Sequence, residues 1–396
     1  MSRYRGGGAR WSSCSFVSAY WVGKVMQIVM PPAWPPTETG DPGPETSPFG
    51  FLAFPLNAAG WYLQETLPGS EENDTRVIAG ERKEMQGENL TIWSFFFLEG
   101  FSRYPKLEIV LFIFSLVMYL VTLLGNSTLI LISILDSRLQ TPMYLFLGNL
   151  SFMDICYTSA SIPTLLVNLL SSQKTIIFSG CAVQMYLSLA MGSTECVLLA
   201  VMAYDRYVAI CNPLRYPIIM NRQVCIQMAT VSWVTGCLTA LLETSFALQI
   251  PLCGNLIDHF TCEILAVLKL ACASSLLMDM ILLVVSVLLL PIPMLLICIS
   301  YVFILSTILR ISSVEGRNKA FSTCGAHLTV VVLYYGAALS MYLKPSSSSS
   351  QQVDKIISLL YGVLTPMLNP IIYSLRNKEV KDAMKKLLGK ISLHQT

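Results

Sequence analysis

Charge is scarce in this chain. Only 13% of its 396 residues are Asp, Glu, Lys or Arg, against about a quarter in ordinary soluble domains. A folded domain must still present a polar surface to water, so a larger soluble core does not account for the deficit. With 54% hydrophobic residues and a mean hydropathy of +0.60, the composition points to lipid as the solvent for much of the chain. A basic surplus is also missing, and a net charge of +2 is too small for a nucleic-acid-binding surface. There is no nucleophile–base set and no phosphate-binding loop, which argues against an enzyme. No repeat places short, broken helices in matching halves, as a small-molecule transporter would.

What is present is a set of seven apolar stretches, each near the ~20 residues that cross a bilayer. They run from Ile109 to Leu135, Met143 to Leu170, Cys181 to Tyr204, Val224 to Ile250, Met280 to Leu309, Ala320 to Leu343 and Ile356 to Leu375. The predicted fold is an all-α membrane protein, a seven-helix bundle over 109–375. Pro291 and Pro293 fall inside the fifth stretch, where a bundle tolerates a kink if neighbours satisfy the freed backbone. Alternate connections differ in charge. One side carries Arg138, Arg206, Arg215, Arg222, Arg310, Arg317 and Lys319, then the tail cations from Arg376 to Lys390. The other holds Lys174, Lys269, Lys344 and Lys355, offset by Asp258, Glu263 and Asp354. The basic side is expected to be cytoplasmic, which puts the amino terminus outside and the tail inside. In the tail, 376–396, Val380, Met384, Leu387, Leu388 and Ile391 recur between lysines, the pattern of a short amphipathic helix on the inner membrane surface. A solvated charged tail is the plain alternative.

Residues 1–84 differ in character. Prolines cluster between Pro31 and Pro48, and Gly6–Gly8 and Glu71–Asp74 add breakers and charge, so this segment is expected to be disordered. Arg3, Arg5 and Arg10 precede an apolar patch from Phe16 to Val22. Lys24 interrupts it and no small-residue cleavage site follows, so it is not read as a signal peptide.

Two strings carry a mechanism. Asp205-Arg206-Tyr207 closes the third stretch, within Met202-Ala-Tyr-Asp-Arg-Tyr-Val-Ala-Ile-Cys-Asn-Pro213-Leu-Arg215-Tyr216. A carboxylate beside an arginine at the membrane boundary can hold one helix arrangement, and a released arginine offers a partner a cationic contact; simple positive-inside anchoring would explain Arg206 alone. In the seventh, Pro366-Met-Leu-Asn369-Pro370-Ile-Ile-Tyr373 sets Asn and Tyr around a proline break, a plausible two-state element. With Gly125-Asn126, Leu139-Gln-Thr-Pro142-Met143-Tyr144, Lys319-Ala-Phe-Ser-Thr-Cys324-Gly-Ala-His327-Leu and Ser374-Leu-Arg376-Asn377, these strings resemble those of the rhodopsin-like (class A) G-protein-coupled receptors. The ordered set, spanning about Met85 to Leu388, is similar to the olfactory (odorant) receptors of the tetrapod type. Departures are Gln140 in place of the family's usual His, Tyr334-Tyr335-Gly336 for Phe-Tyr-Gly, and the run Ser346–Ser350. Family members start at a position matching Met85, so 1–84 is expected to be an upstream extension and 85–108 the extracellular amino terminus.

The resemblance implies a plasma-membrane receptor whose partners are a small odorant and a stimulatory, olfactory-type heterotrimeric G protein that raises cyclic AMP. It implies a ligand pocket formed by Ser188, Leu189, Gly192 and Ser193, by Val285, Ser286 and Leu289, and by Tyr335, Leu339 and Tyr342. No strong charge stands at these ten positions, which suits apolar volatile molecules better than an amine or a carboxylate. Ordinary helix packing is the competing reading for each. Coupling is implied for Asp205, Arg206, Tyr207, Tyr301, Asn369, Pro370 and Tyr373. Intramembrane acids are functional candidates because charge at bilayer depth is expensive. Asp154 and Glu195 are therefore a candidate Na⁺ site, and no other cofactor is expected; a protonated structural donor is the alternative.

Cys181, Cys253, Cys262 and Cys272 fall on the outer side, where four cysteines permit three pairings. The resemblance implies Cys181–Cys262 and Cys253–Cys272. His259-Phe-Thr-Cys262-Glu263 has metal-ligand residue types, but no metal is expected if Cys262 is bridged. Asn89-Leu90-Thr91 fits an outer-side N-glycosylation sequon, with an unused sequon as the alternative.

Overall fold

The computed structural model describes residues 93–102, 104–342, 351–376 and 380–385. Residues 1–84, the Asn89 sequon, the Ser346–Ser350 run and the tail beyond 385 lie outside the described residues. Seven helices are long and apolar enough to cross a bilayer. They are α1 (Pro105–Leu135), α2 (Pro142–Leu170), α3 (Phe178–Cys211), α4 (Arg222–Ala247), α5 (Leu276–Leu309), α6 (Val314–Tyr342) and α7 (Gln351–Arg376). The chain is a multi-pass membrane protein.

Lipid rather than water explains the outer surface. Ile109, Leu124, Leu238, Leu283 and Val332 all point outward and stay exposed, an arrangement costly in water and neutral in hydrocarbon. Inside, α3 is the central pillar, with Leu198, Leu199, Met202 and Ala203 fully buried. Gly236 lets α4 lie directly on α3: a Cβ there would stand 2.7 Å from the Ala190 carbonyl oxygen. Polar ties cross the interior as well. Trp233 Nε1 of α4 donates to Asn149 Oδ1 of α2 (3.0 Å), and Asn126 Nδ2 of α1 donates to the Pro366 carbonyl of α7 (3.1 Å).

The prolines interrupt α5 but not α7, where Pro370 lies inside the continuous helical segment Thr365–Arg376 and the expected break at Pro370 is not seen. In α5 the regular helix stops at Leu290 and resumes with Pro291 in first position. Pro291 and Pro293 thus occupy a first turn, where a missing N–H leaves no bond unmade. In α7 a π turn over Leu360–Leu364 precedes Pro370. After α7, residues 380–385 form a short helix whose Val380 and Ala383 are buried while Lys381 and Lys385 are exposed. The predicted amphipathic character holds there, with Ala383 joining the inward face.

A small sheet is added to the all-α bundle. At one end of the bundle lies a three-stranded sheet of β1 (Phe95–Leu98), β2 (Thr175–Ile177) and β3 (Leu256–Ile257), ordered β2-β1-β3. Strand β1 pairs antiparallel with β2 (Phe95 opposite Ile177) and parallel with β3 (Phe97 opposite Leu256). Phe95-Phe-Phe-Leu98 is a run of strand-favouring aromatics, but its partners lie about 80 and 160 residues along, so no local pattern announces the pairing. The Cys181–Cys262 disulfide, with Cα atoms 5.3 Å apart, ties β3 to the first turn of α3. Cys253–Cys272 (4.9 Å) closes the loop that carries β3. Charges at this sheet end pair between elements: Lys174 with Glu108, and Lys355 with Asp258 and the Gly100 carbonyl.

Candidate functional site

Beneath the sheet, between α3, α5 and α6, is a cavity of about 110 Å³. Seven of the ten expected ligand positions line it. Ser188, Leu189, Gly192 and Ser193 come from α3, and Val285, Ser286 and Leu289 from α5. The assignments on α6 need correction by one residue. Tyr334, Ala338 and Met341 form the wall, an i, i+4, i+7 stripe. Tyr335 is turned about 100° from that stripe, and its buried hydroxyl donates to the Cys196 carbonyl of α3 (2.9 Å). Leu339 packs on the core instead of the cavity, and the side chain of Tyr342 lies outside the described residues. Tyr334 also donates, to the Gly192 carbonyl at 2.6 Å, so the α6 wall is hydrogen-bonded to α3.

The wall is more acidic than the ten expected positions suggest. Asp154, Glu195, Glu243 and Glu263 all border the cavity, and among the described residues no Lys, Arg or His does. Glu263, from the loop after β3, accepts from Ser358 Oγ (2.9 Å) and Tyr361 OH (2.6 Å) of α7 and lies 3.2 Å from His259 Nε2. Burial holds His259 below the usual histidine pKa, against the opposing pull of Glu263. Cys262 is spent in its disulfide, which removes the thiolate a metal cluster with His259 and Glu263 would need.

Deeper, both carboxylate oxygens of Asp154 accept from Asn369 Nδ2 (3.2 and 2.9 Å), joining α2 to α7. Glu195 Oε1 and Asn369 Oδ1 are buried without a hydrogen-bond partner among the described residues. An oxygen-only set of this kind fits a small hard cation.

At the far end of α3, Arg206 Nε donates to Asp205 Oδ2 (3.0 Å), and a second guanidinium nitrogen bonds the same oxygen. Tyr216 OH donates to Asp205 Oδ1 (2.7 Å). Asp205 is fully buried, so these donors are what make its charge tolerable. Tyr207 packs its ring on Phe303 of α5. Tyr301 OH bonds His327 Nδ1 of α6 (2.8 Å) and the Cys324 carbonyl (3.2 Å), bridging α5 to α6. Tyr373 is buried with its hydroxyl unpartnered among the described residues, and Pro370 packs on Gly125 of α1. The residues expected to couple therefore stand at the joints between α1, α3, α5, α6 and α7. Sequence reading missed the α6 face, the sheet and the part that Glu243 and Glu263 take in the wall. The ordered motifs did locate α3, α7 and the disulfides.

A sequence model described as Olfactory receptor matches residues 114–390. Human Olfactory receptor 2K2 is 91% identical over 312 residues, covering 79% of this chain and 99% of the relative. Human Olfactory receptor 13F1 is 67% identical over 301 residues (76% and 94%), and human Olfactory receptor 13D1 is 60% identical over 343 residues (86% and 98%). With seven helices long and apolar enough to cross a membrane, the two disulfides and a match of this length, the chain belongs to the olfactory receptor family and is a plasma-membrane receptor, not an enzyme.

Proposed function

We propose that this receptor binds a small, mostly apolar volatile molecule in the cavity beneath the sheet and signals through a stimulatory, olfactory-type heterotrimeric G protein to raise cyclic AMP. One observation carries the reading. A single rigid helix, α3, lines the cavity with Ser188–Ser193 and holds the Asp205–Arg206 pair at its other end. Tyr334 and Tyr335 couple α6 to α3 along the way. A guest that presses on the α6 stripe favours the arrangement in which α6 and α7 shift at Tyr335 and at Asn369–Tyr373. Arg206 then leaves Asp205 and faces the G protein near Tyr301. The guest biases this equilibrium only by its differential affinity for the two arrangements.

In this reading the sheet end and amino terminus are extracellular, Asn89 is glycosylated, and the basic loops and tail face the cytoplasm. Loop charge and the position of the two disulfides support that orientation. Asp154, Glu195 and Asn369 would hold Na⁺, whose charge offsets two enclosed carboxylates and steadies the resting arrangement. The test is a cyclic-AMP assay in cells across a broad odorant panel, paired with Arg206→Ala. The variant should reach the surface and lose the response. Signalling that survives the substitution, or epitope tags at Gly316 and Ser346 found on the same face of intact cells, would refute the reading.

A further inference from the structure

We propose that the cavity selects ligands carrying a protonated amine on an otherwise apolar body, and that Glu243 of α4 is the carboxylate that anchors it. This rests on the receptor reading above and narrows it to a ligand class. Glu243 is only 4% exposed, and it borders the cavity. Among the described residues it has no hydrogen bond and no ion pair. A carboxylate enclosed without a donor is expensive, and the cost disappears when a guest brings N–H groups.

The other acids of the wall are differently placed. Glu263 is held by Ser358 and Tyr361. Asp154 is held by Asn369, and Glu195, whose Oε1 is also unpartnered among the described residues, is taken up by Na⁺ in the reading above. Glu243 alone is left for a ligand. The sign of the guest follows from the surroundings. With Asp154 and Glu195 offset by Na⁺ in the reading above, Glu243 and Glu263 remain, and no described cationic side chain borders the space, so an anion finds no partner there and a cation gains from Glu243. Leu189, Val285, Leu289 and Met341 supply the apolar surface for the rest of the molecule. The ten positions that resemblance singled out are uncharged, and this acid lies outside them.

The test uses the full-length receptor in cells, with surface tagging, and matched probes: hexylamine and cyclohexylamine, the corresponding alcohols, and hexanoic acid. The amines should act at concentrations about tenfold or more below the alcohols, with the acid inactive. Glu243→Gln should weaken the amines about 10- to 100-fold, the range of a lost charge-assisted bond, and leave the alcohols within about threefold by the same reasoning. Amine potency retained in a surface-expressed Glu243→Gln receptor would overturn the proposal. If that variant does not reach the surface, the purified wild-type protein decides: amines should raise its melting temperature where alcohols do not, and no amine-specific shift would overturn it. A receptor that answers alcohols or the acid but not amines refutes this inference and leaves the odorant reading standing. Silence to every probe with normal surface expression counts against both.

Discussion

Replacing Gly236 by alanine probes the packing of α4 on α3. A Cβ at this position would stand 2.7 Å from both the Ala190 carbonyl oxygen and the Thr194 amide nitrogen, and 2.1 Å from Thr194 Oγ1. Ordinary contact begins at 3.4 Å, so the two helices must part or shear by about 0.7 Å to clear the backbone atoms and by about 1.3 Å to clear Thr194 Oγ1 where it stands. Thr194 does not simply rotate away, because its hydroxyl is bonded to the Ala190 carbonyl at 2.7 Å. Overpacking of this kind costs about 1–3 kcal/mol. Alanine recovers up to about 1 kcal/mol as the better helix former. With two of the three contacts on backbone, a net loss of about 1–2 kcal/mol is expected. Gly336 on α6 is the control. Nothing stands within 4 Å of its added Cβ, so Gly336→Ala keeps only the helix-propensity gain. In detergent, the midpoint of a thiol-reactive melt should fall by about 2–6 °C for Gly236→Ala and stay level or rise for Gly336→Ala. Buried Cys196, Cys225 and Cys324 are the reporters. A Gly236→Ala receptor that melts at or above the Gly336→Ala receptor would show that α3 and α4 are not in this contact.

Three further outcomes follow from the site. Tyr216→Phe removes a donor from buried Asp205, so the resting pair loosens; about 1 kcal/mol at this half-exposed position corresponds to a roughly fivefold rise in ligand-free cyclic AMP, and unchanged basal signalling would count against the latch. Ala338→Phe should fill the cavity and abolish odorant responses, whereas Leu339→Phe should spare them; the reverse pattern would restore the uncorrected α6 face. His259, enclosed with Phe260, Glu263, Lys269 and Lys355 around it, has its folded pKa depressed. The unfolded chain therefore takes up a proton first as pH falls below about 6.5. Stability should be level above pH 7 and decline from there toward the depressed folded value, and His259→Gln should flatten melting temperature between pH 7.5 and 5.5. A wild-type protein equally stable across that range would refute the assignment.

The bundle was legible because hydrocarbon imposes its own pattern. From Ile109 to Leu135 there is no charge, and a helix over that span is the structure that satisfies its backbone in lipid. The helix ends were less legible. Helix α1 begins at Pro105 and α5 at Leu276, each four residues before its expected start, because Lys106 and Asp279 lie at the rim where charge is tolerated. The sheet could not be read from the sequence. Phe95–Leu98 looks like more of the apolar chain until Thr175–Ile177 and Leu256–Ile257 are brought beside it by the Cys181–Cys262 bridge.

The site divides along the same line. Motif strings fix where α2, α3 and α7 lie, and with them Asp154, Arg206 and Asn369. The rotation of a helix is a finer quantity. On α6 the whole stripe Ala320–Leu343 is apolar enough to face lipid, core or cavity, and nothing in Tyr334-Tyr335 says which ring turns inward. Packing decides it: the Tyr335 hydroxyl reaches the Cys196 carbonyl, and that bond leaves Tyr334, Ala338 and Met341 for the cavity. Glu243 gave the opposite kind of signal. An acid inside an apolar stretch is visible at once, and its cost demands a partner. The sequence has no means of naming that partner, because in the folded bundle no described side chain fills the role.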